Sequence, residues 1–219
     1  MNTVDIAKME QVDGTFKHTP LHFAASDGNF EEAKSLLRNG ANVDARNWQN
    51  CTPLHFAAVQ ENDNIDIVLL LLKHNANINA IDVYGGSPLH FAVKCCKEKI
   101  VEALLKNGCK LDIKDDLQIT PLHRAVNYGS EKTFSQLLFY GADVNSKDFD
   151  GDTPLHRAVR CYSKKYRDAG RIKLLLQEEH KIDFNIRNND GNKAIEMALD
   201  RRLANIAKMI LLEHQFNTL

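Results

Sequence analysis

Long apolar runs are missing from this 219-residue chain: the longest, Ile67 to Leu72, spans six residues, against about 20 for a membrane-crossing helix. The opening MNTVDIAKMEQVDG holds early acids and no apolar core, so it does not read as a secretory signal. Cysteine is sparse and unpatterned. Cys51, Cys95, Cys96, Cys109 and Cys161 make an odd count with no C-x-x-C pair, which points to reduced thiols in an intracellular compartment. An excess of one charge is missing too. The 28 Lys and Arg residues face 29 Asp and Glu, leaving no global pull toward nucleic acid or an anionic membrane. There is no G-x-S-x-G, no P-loop, no G-x-G-x-x-G after a strand and no H-E-x-x-H. The expectation is therefore a protein that is not an enzyme and holds no cofactor and no metal. Its expected place is the cytoplasm, with the nucleus as a second compartment.

What is present is a repeat. TPLHFAA stands at 19–25 and again at 52–58, SPLHFAV at 87–93, and TPLHRAV at both 120–126 and 153–159. A degenerate copy, KAIE, begins at 193, so the intervals are 33, 35, 33, 33 and 40 residues. A period of this size means stacked units rather than one closed core. Thr or Ser followed by Pro starts a helix, with the hydroxyl as N-cap and Pro at the first helical position. A short turn and a second helix follow, for example Phe30 to Leu37 or Ile100 to Leu105. Gly40, Gly108 and Gly141 then fall where a left-handed C-cap is wanted. The polar stretch before the next Thr-Pro reads as an extended, hairpin-like turn.

These residues resemble the ankyrin-repeat family, whose 33-residue period and T-P-L-H-x-A signature they match over about residues 13–215. The resemblance implies an all-α solenoid of stacked helix-turn-helix units joined by β-hairpin-like turns. It divides the chain into an N-terminal segment 1–13, repeats 14–46, 47–81, 82–114, 115–147 and 148–187, and a cap repeat 188–219, all in one array. The second repeat has two extra residues around QENDN (60–64), and the fifth is longer by seven, five of them within RCYSKKYRDAGR (160–171). The sixth copy has lost Thr, Pro and His and carries Arg201, Arg202, Asn205 and Lys208, as a polar cap would. TVDIAKMEQ reads as a short N-terminal helix.

Five histidines in one register invite a metal or catalytic reading. Two imidazole nitrogens sharing a zinc ion lie within about 4 Å of each other, whereas successive helical layers are about 8–10 Å apart. His22, His55, His90, His123 and His156 therefore read as scaffold, together with Thr19, Thr52, Ser87, Thr120 and Thr153. A His three residues after the N-cap can hydrogen-bond the hydroxyl or the backbone groups that a helix start leaves open.

Function then falls to the positions the scaffold leaves free. The resemblance implies a concave surface of hairpin tips and first helices that recognises protein. The tips place Phe16, Trp48, Tyr84, Leu117 and Phe149 where small polar residues are usual, an arrangement that reads as a row of anchors. The residue after each His forms a second register: Phe23, Phe56, Phe91, Arg124 and Arg157. Basic character continues through Lys147, Arg160, Lys164, Lys165, Arg167 and Arg171. The expected partner is a protein segment with an apolar part and an acidic end. The leading expectation is a monomeric, non-enzymatic interaction module acting as scaffold, adaptor or inhibitor. An effector or host mimic acting in a foreign cell is one alternative, and a substrate adaptor of a ubiquitin ligase is another. Nucleic acid through the fifth-repeat basic patch is a less favoured partner. The resemblance also marks Asn79 and Asn145, in ANINA and ADVNS, as positions at which ankyrin repeats can be hydroxylated.

Overall fold

A computed structural model describes residues 17–61, 63–162, 169–177 and 181–216. The expected helix in TVDIAKMEQ, the tip residue Phe16, and Lys164, Lys165 and Arg167 of the fifth-repeat insertion lie outside the described residues. The chain divides into two compact units, residues 1–110 and 111–219.

The first unit holds α1 (Pro20–Asp27), α2 (Phe30–Arg38), α3 (Pro53–Ala57), α4 (Ile65–Lys73), α5 (Pro88–Lys94) and α6 (Glu98–Lys106). First helices stack on first helices, α1 on α3 and α3 on α5, and the second helices α2, α4 and α6 form the adjoining layer. Helices of five to nine residues are too short to persist alone. Their stability comes from caps and from the motif leucines Leu21, Leu54 and Leu89, all buried, each worth about 1.5–3 kcal/mol. Ala24, Ala25, Ala57, Ala58 and Ala92 are buried beside them, and their small side chains let the layers close. The two extra residues of the second repeat have a visible use. Asp63 accepts from the backbone N–H groups of Lys99 and Ile100 (3.2 Å each), capping α6, whose own N-cap Lys97 supplies no side-chain acceptor.

The second unit holds α7 (Pro121–Asn127), α8 (Glu131–Phe139), α9 (Pro154–Cys161), α10 (Gly170–Leu175), α11 (Ala194–Asp200) and α12 (Ala204–Phe216). It repeats the same layering around Leu122, Phe134, Leu137, Leu155 and Leu175. The expected C-cap glycines take left-handed backbone, φ 92° at Gly40, 75° at Gly108 and 86° at Gly141. Asn75 does the same at 63° in the second repeat, which has no glycine there, as short polar side chains tolerate. Arg201 joins the last repeat to the fifth. Its guanidinium donates to the carbonyls of Val159, Arg160 and Tyr162, closing the end of α9. The exposed side of the last repeat is less polar than expected, because Leu199, Leu211 and Leu212 lie there with Arg202, Asn205 and Lys208.

Candidate functional site

The histidines are buried within the helix starts. Each Nδ1 is the acceptor for its own N-cap residue, taking the backbone N–H of Thr19, Thr52 and Ser87 at 3.1 Å and of Thr120 and Thr153 at 3.3 Å. The N-cap hydroxyl lies 2.8–3.0 Å from the same nitrogen in all five. This is a capping box in which imidazole takes the place usually held by Glu or Gln. The opposite nitrogen reaches the next repeat. Nε2–H donates to Cys51 O from His22, Gly86 O from His55, Asp152 O from His123 and Asn192 O from His156, at 3.0–3.1 Å. The acceptor role at Nδ1 demands the neutral ring, whereas the Nε2–H bond to the carbonyl is open to either protonation state. Burial holds the pKa of His22 and His156 below the ordinary imidazole value and takes His55 and His123 down to about 4, against a smaller upward pull from the carbonyl bond. Among the described residues no group of three or more His, Cys, Asp or Glu could hold a metal ion.

Each of the five described hairpin turns is built on one Asn or Asp that lies five residues before the motif's first position. Asp82 Oδ1 accepts from Tyr84 N (2.9 Å) and Gly86 N (2.7 Å). Asn47, Asp115 and Asp148 accept in the same way, and Asn188 accepts from Asn192 N. The turn closes when the same residue's N–H donates to the carbonyl four residues on, as Asp82 N does to Gly86 O (3.0 Å). Neighbouring turns are then tied together. Val83 N donates to Gln49 O in the first unit, and Phe149 N to Leu117 O in the second, each at 2.9 Å.

On these locked turns the tip side chains reach solvent: Trp48 and Tyr84 are each 65% exposed, Leu117 59% and Phe149 69%. They do not form a single row. Trp48 and Phe149 occupy the position after the turn Asn or Asp, whereas Tyr84 and Leu117 occupy the one after that. Lys17 Nζ stands 5.9 Å from the Trp48 ring centroid.

The register after the histidine divides in two. Phe23 is exposed and packs edge-on against His18 (5.5 Å between centroids). Phe56 and Phe91 are half-buried, each set edge-on against the histidine of the preceding repeat, His22 and His55, at 5.2 Å. The arginines do not stand free for an acidic partner as the sequence reading expects. Arg124 pairs with Asp115 (2.5 Å), Arg157 with Asp148 (2.6 Å) and Arg160 with Asp152 (2.7 Å). For Arg124 and Arg157 the physical reason is the turn: one carboxylate oxygen caps the turn's N–H groups, and the buried charge left on the other needs a cation. Asp152, the partner of Arg160, instead accepts from Asn188 Nδ2 on its other oxygen. The turn residues Asn47, Asp82, Asp115, Asp148 and Asn188 escape the sequence reading, although their fixed offset of five residues from the motif is visible in the chain.

Asn79 and Asn145 are also tied between repeats. Asn79 Oδ1 accepts from Lys110 N (2.8 Å), and Asn145 Oδ1 from Asp183 N (2.9 Å). Asp44 and Asp112 do the same job for Asn77 N and Asp143 N.

No helix among the described residues is long and apolar enough to cross a membrane. Among curated proteins, the human (Homo sapiens) Ankyrin repeat and SOCS box protein 18 is 47% identical over 51 residues, which are 23% of this chain and 11% of that protein's length. The family described as ankyrin repeats (3 copies) matches residues 2–82, 21–115, 81–148 and 122–218. With the repeated cap, turn and stacking geometry, this match means that the chain belongs to the ankyrin-repeat family, an all-α family of protein–protein interaction modules that is generally non-enzymatic.

Proposed function

We propose that this protein binds a protein partner through its hairpin tips and first helices, without catalysis, as a scaffold, adaptor or inhibitor. The observation that carries the reading is the set of four large apolar tip side chains held out on hydrogen-bonded turns. Rigid anchors of this kind lose little entropy on association, and exposed aromatics of this size are what interface hot spots are made of. A narrower reading, substrate adaptor of a ubiquitin ligase, draws on the relative whose name joins ankyrin repeats to a SOCS box, over 11% of that protein's length. The test is quantitative affinity purification from cells with Trp48→Ala/Tyr84→Ala, Leu117→Ser/Phe149→Ser and a second-helix control, Glu102→Ala/Lys106→Ala. Partners recovered by the unmodified chain and the control should be lost from at least one tip variant. Retention of every partner by both tip variants would sink the proposal.

A further inference from the structure

Every turn Asn or Asp has a companion nine positions later, in the register after the histidine. In four of the five described turns the two are matched in charge. Asn47 with Phe56 and Asn188 with Met197 are neutral pairs, and Asp115 with Arg124 and Asp148 with Arg157 are ion pairs. Asp82 breaks the rule, because its companion is Phe91. The Asp82 side chain is buried, and Oδ1 is occupied by the N–H groups of Tyr84 and Gly86. Among the described residues no cation pairs with its carboxylate, and Oδ2 has no hydrogen-bond donor. Arg46 shares its electrostatic surroundings near His55 and Cys51, but its Nη1 donates to Asn50 O and Ile81 O (2.9 Å each).

The missing group can be read from the other turns. In the second unit a guanidinium reaches the equivalent carboxylate at 2.5–2.6 Å. In the first unit the carboxylate and an aromatic edge flank one glycine: a Cβ on Gly86 would lie 3.2 Å from both Asp82 Oδ1 and Phe91 Cε2. A planar guanidinium bonds a carboxylate and lies on aromatic surface at the same time, which an ammonium does less well. Tyr84 is exposed on the same turn and Trp48 on the one before it, where Lys17 already sets a cation against the indole.

We propose that Asp82 is an arginine-recognition site: the partner segment held by the first unit carries an arginine whose guanidinium pairs with Asp82 Oδ2 beside Phe91 and Tyr84, with apolar neighbours on Trp48. This rests on the reading that the tip face binds protein, and it replaces an acidic partner with a basic one. Random twelve-residue peptides displayed on phage are selected on the full chain, and binders are titrated by the fluorescence of Trp48, the only tryptophan. Selected peptides should share an arginine at one position with apolar flanks. Asp82→Asn, which keeps the turn acceptor as Asn47 does, should weaken those peptides about tenfold to a hundredfold, as loss of a charged hydrogen bond does. The peptide Arg→Ala change should cost the same and add nothing on top of Asp82→Asn. Phe91→Arg, supplying the internal base, should remove the arginine preference. Binders without arginine, or arginine peptides indifferent to both variants, overturn this proposal alone. No binders at all, or binders unaffected by Tyr84→Ala and Phe56→Ala, overturn the tip-face reading and this one with it.

Discussion

Lowering the pH from 7 to 5 should destabilise this protein through its histidines. Each ring accepts at Nδ1 from the backbone N–H of its N-cap residue, so a proton there turns an acceptor into a donor facing that N–H. Burial brings His55 and His123 to about 4, while an unfolded histidine titrates near about 6.5. Between those values the unfolded chain binds the extra proton, and falling pH favours unfolding. The stabilisation is complete above about pH 6.5, is lost as pH falls toward about 4, and amounts to about 3 kcal/mol per histidine when fully lost. Relative to pH 7, pH 5 should cost about 2 kcal/mol for each of the two. His22 and His156 are shifted in the same direction by burial and add to the effect. Asp112, raised by burial, opposes it.

Equilibrium urea unfolding at pH 7, 6 and 5 and constant ionic strength measures the loss. The informative variant is His55→Gln/His123→Gln, because glutamine at this helix position still closes a capping box but does not titrate. It should be less stable than the unmodified chain at pH 7 and should lose less stability on acidification, by about 2 kcal/mol per substituted histidine. A stability that is flat from pH 7 to 5, or an identical fall in the glutamine variant, would refute the argument that these rings are held neutral by burial and by the bond each accepts at Nδ1.

Other outcomes follow from the same contacts. Arg124→Ala and Asp115→Asn should couple by about 1–3 kcal/mol in a double-mutant cycle of urea midpoints, and strict additivity would show that the pair of Arg124 and Asp115 does not hold the turn. Trp48→Ala/Tyr84→Ala should leave the unfolding free energy within about 0.5 kcal/mol, since both side chains project into solvent; a larger loss would make them structural. Gln118 adopts φ 57° at a turn position where the neighbouring repeats carry Gly85 and Gly151. Gln118→Gly should therefore raise the thermal midpoint, by an equivalent of about 0.5–1 kcal/mol after the unfolded-chain entropy of glycine is subtracted.

What recurs at a fixed register and follows a rule local to one helix or its cap was legible in the chain. The Thr-Pro helix starts, the glycines past the second helices and the histidine as scaffold each follow from local rules that hold inside one repeat. The pairs between a turn residue and the helix nine positions later were not legible by those rules, because a turn must close before Asp115 and Arg124 meet. Without that contact the arginines look like free charge. The tips misled in a smaller way. Counting back from the motif put Trp48, Tyr84, Leu117 and Phe149 in one class, but the closing bond starts at Asn47, Asp82, Asp115 and Asp148 and sorts them into two positions. Asp63 was hidden for a different reason. It caps a helix of the following repeat, more than thirty residues on, and no local pattern marks a cap supplied from a distance.

The sixth repeat explains why histidine rather than glutamate occupies the other five helix starts. Glu196 stands in the histidine register, and its Oε2 accepts from Lys193 N at 2.8 Å, so a carboxylate closes the helix as well as imidazole does. What it lacks is a donor. His22, His55, His123 and His156 each send Nε2–H to a carbonyl of the next repeat, whereas Glu196 takes its second contact from Arg187 in its own turn (2.7 Å). The histidine is thus the bond between repeats, and glutamate is where that bond stops being made. A histidine already committed at both nitrogens has nothing left for a partner. That leaves recognition to the positions around it, and among these Asp82 is the buried acid whose companion nine residues later brings no cation.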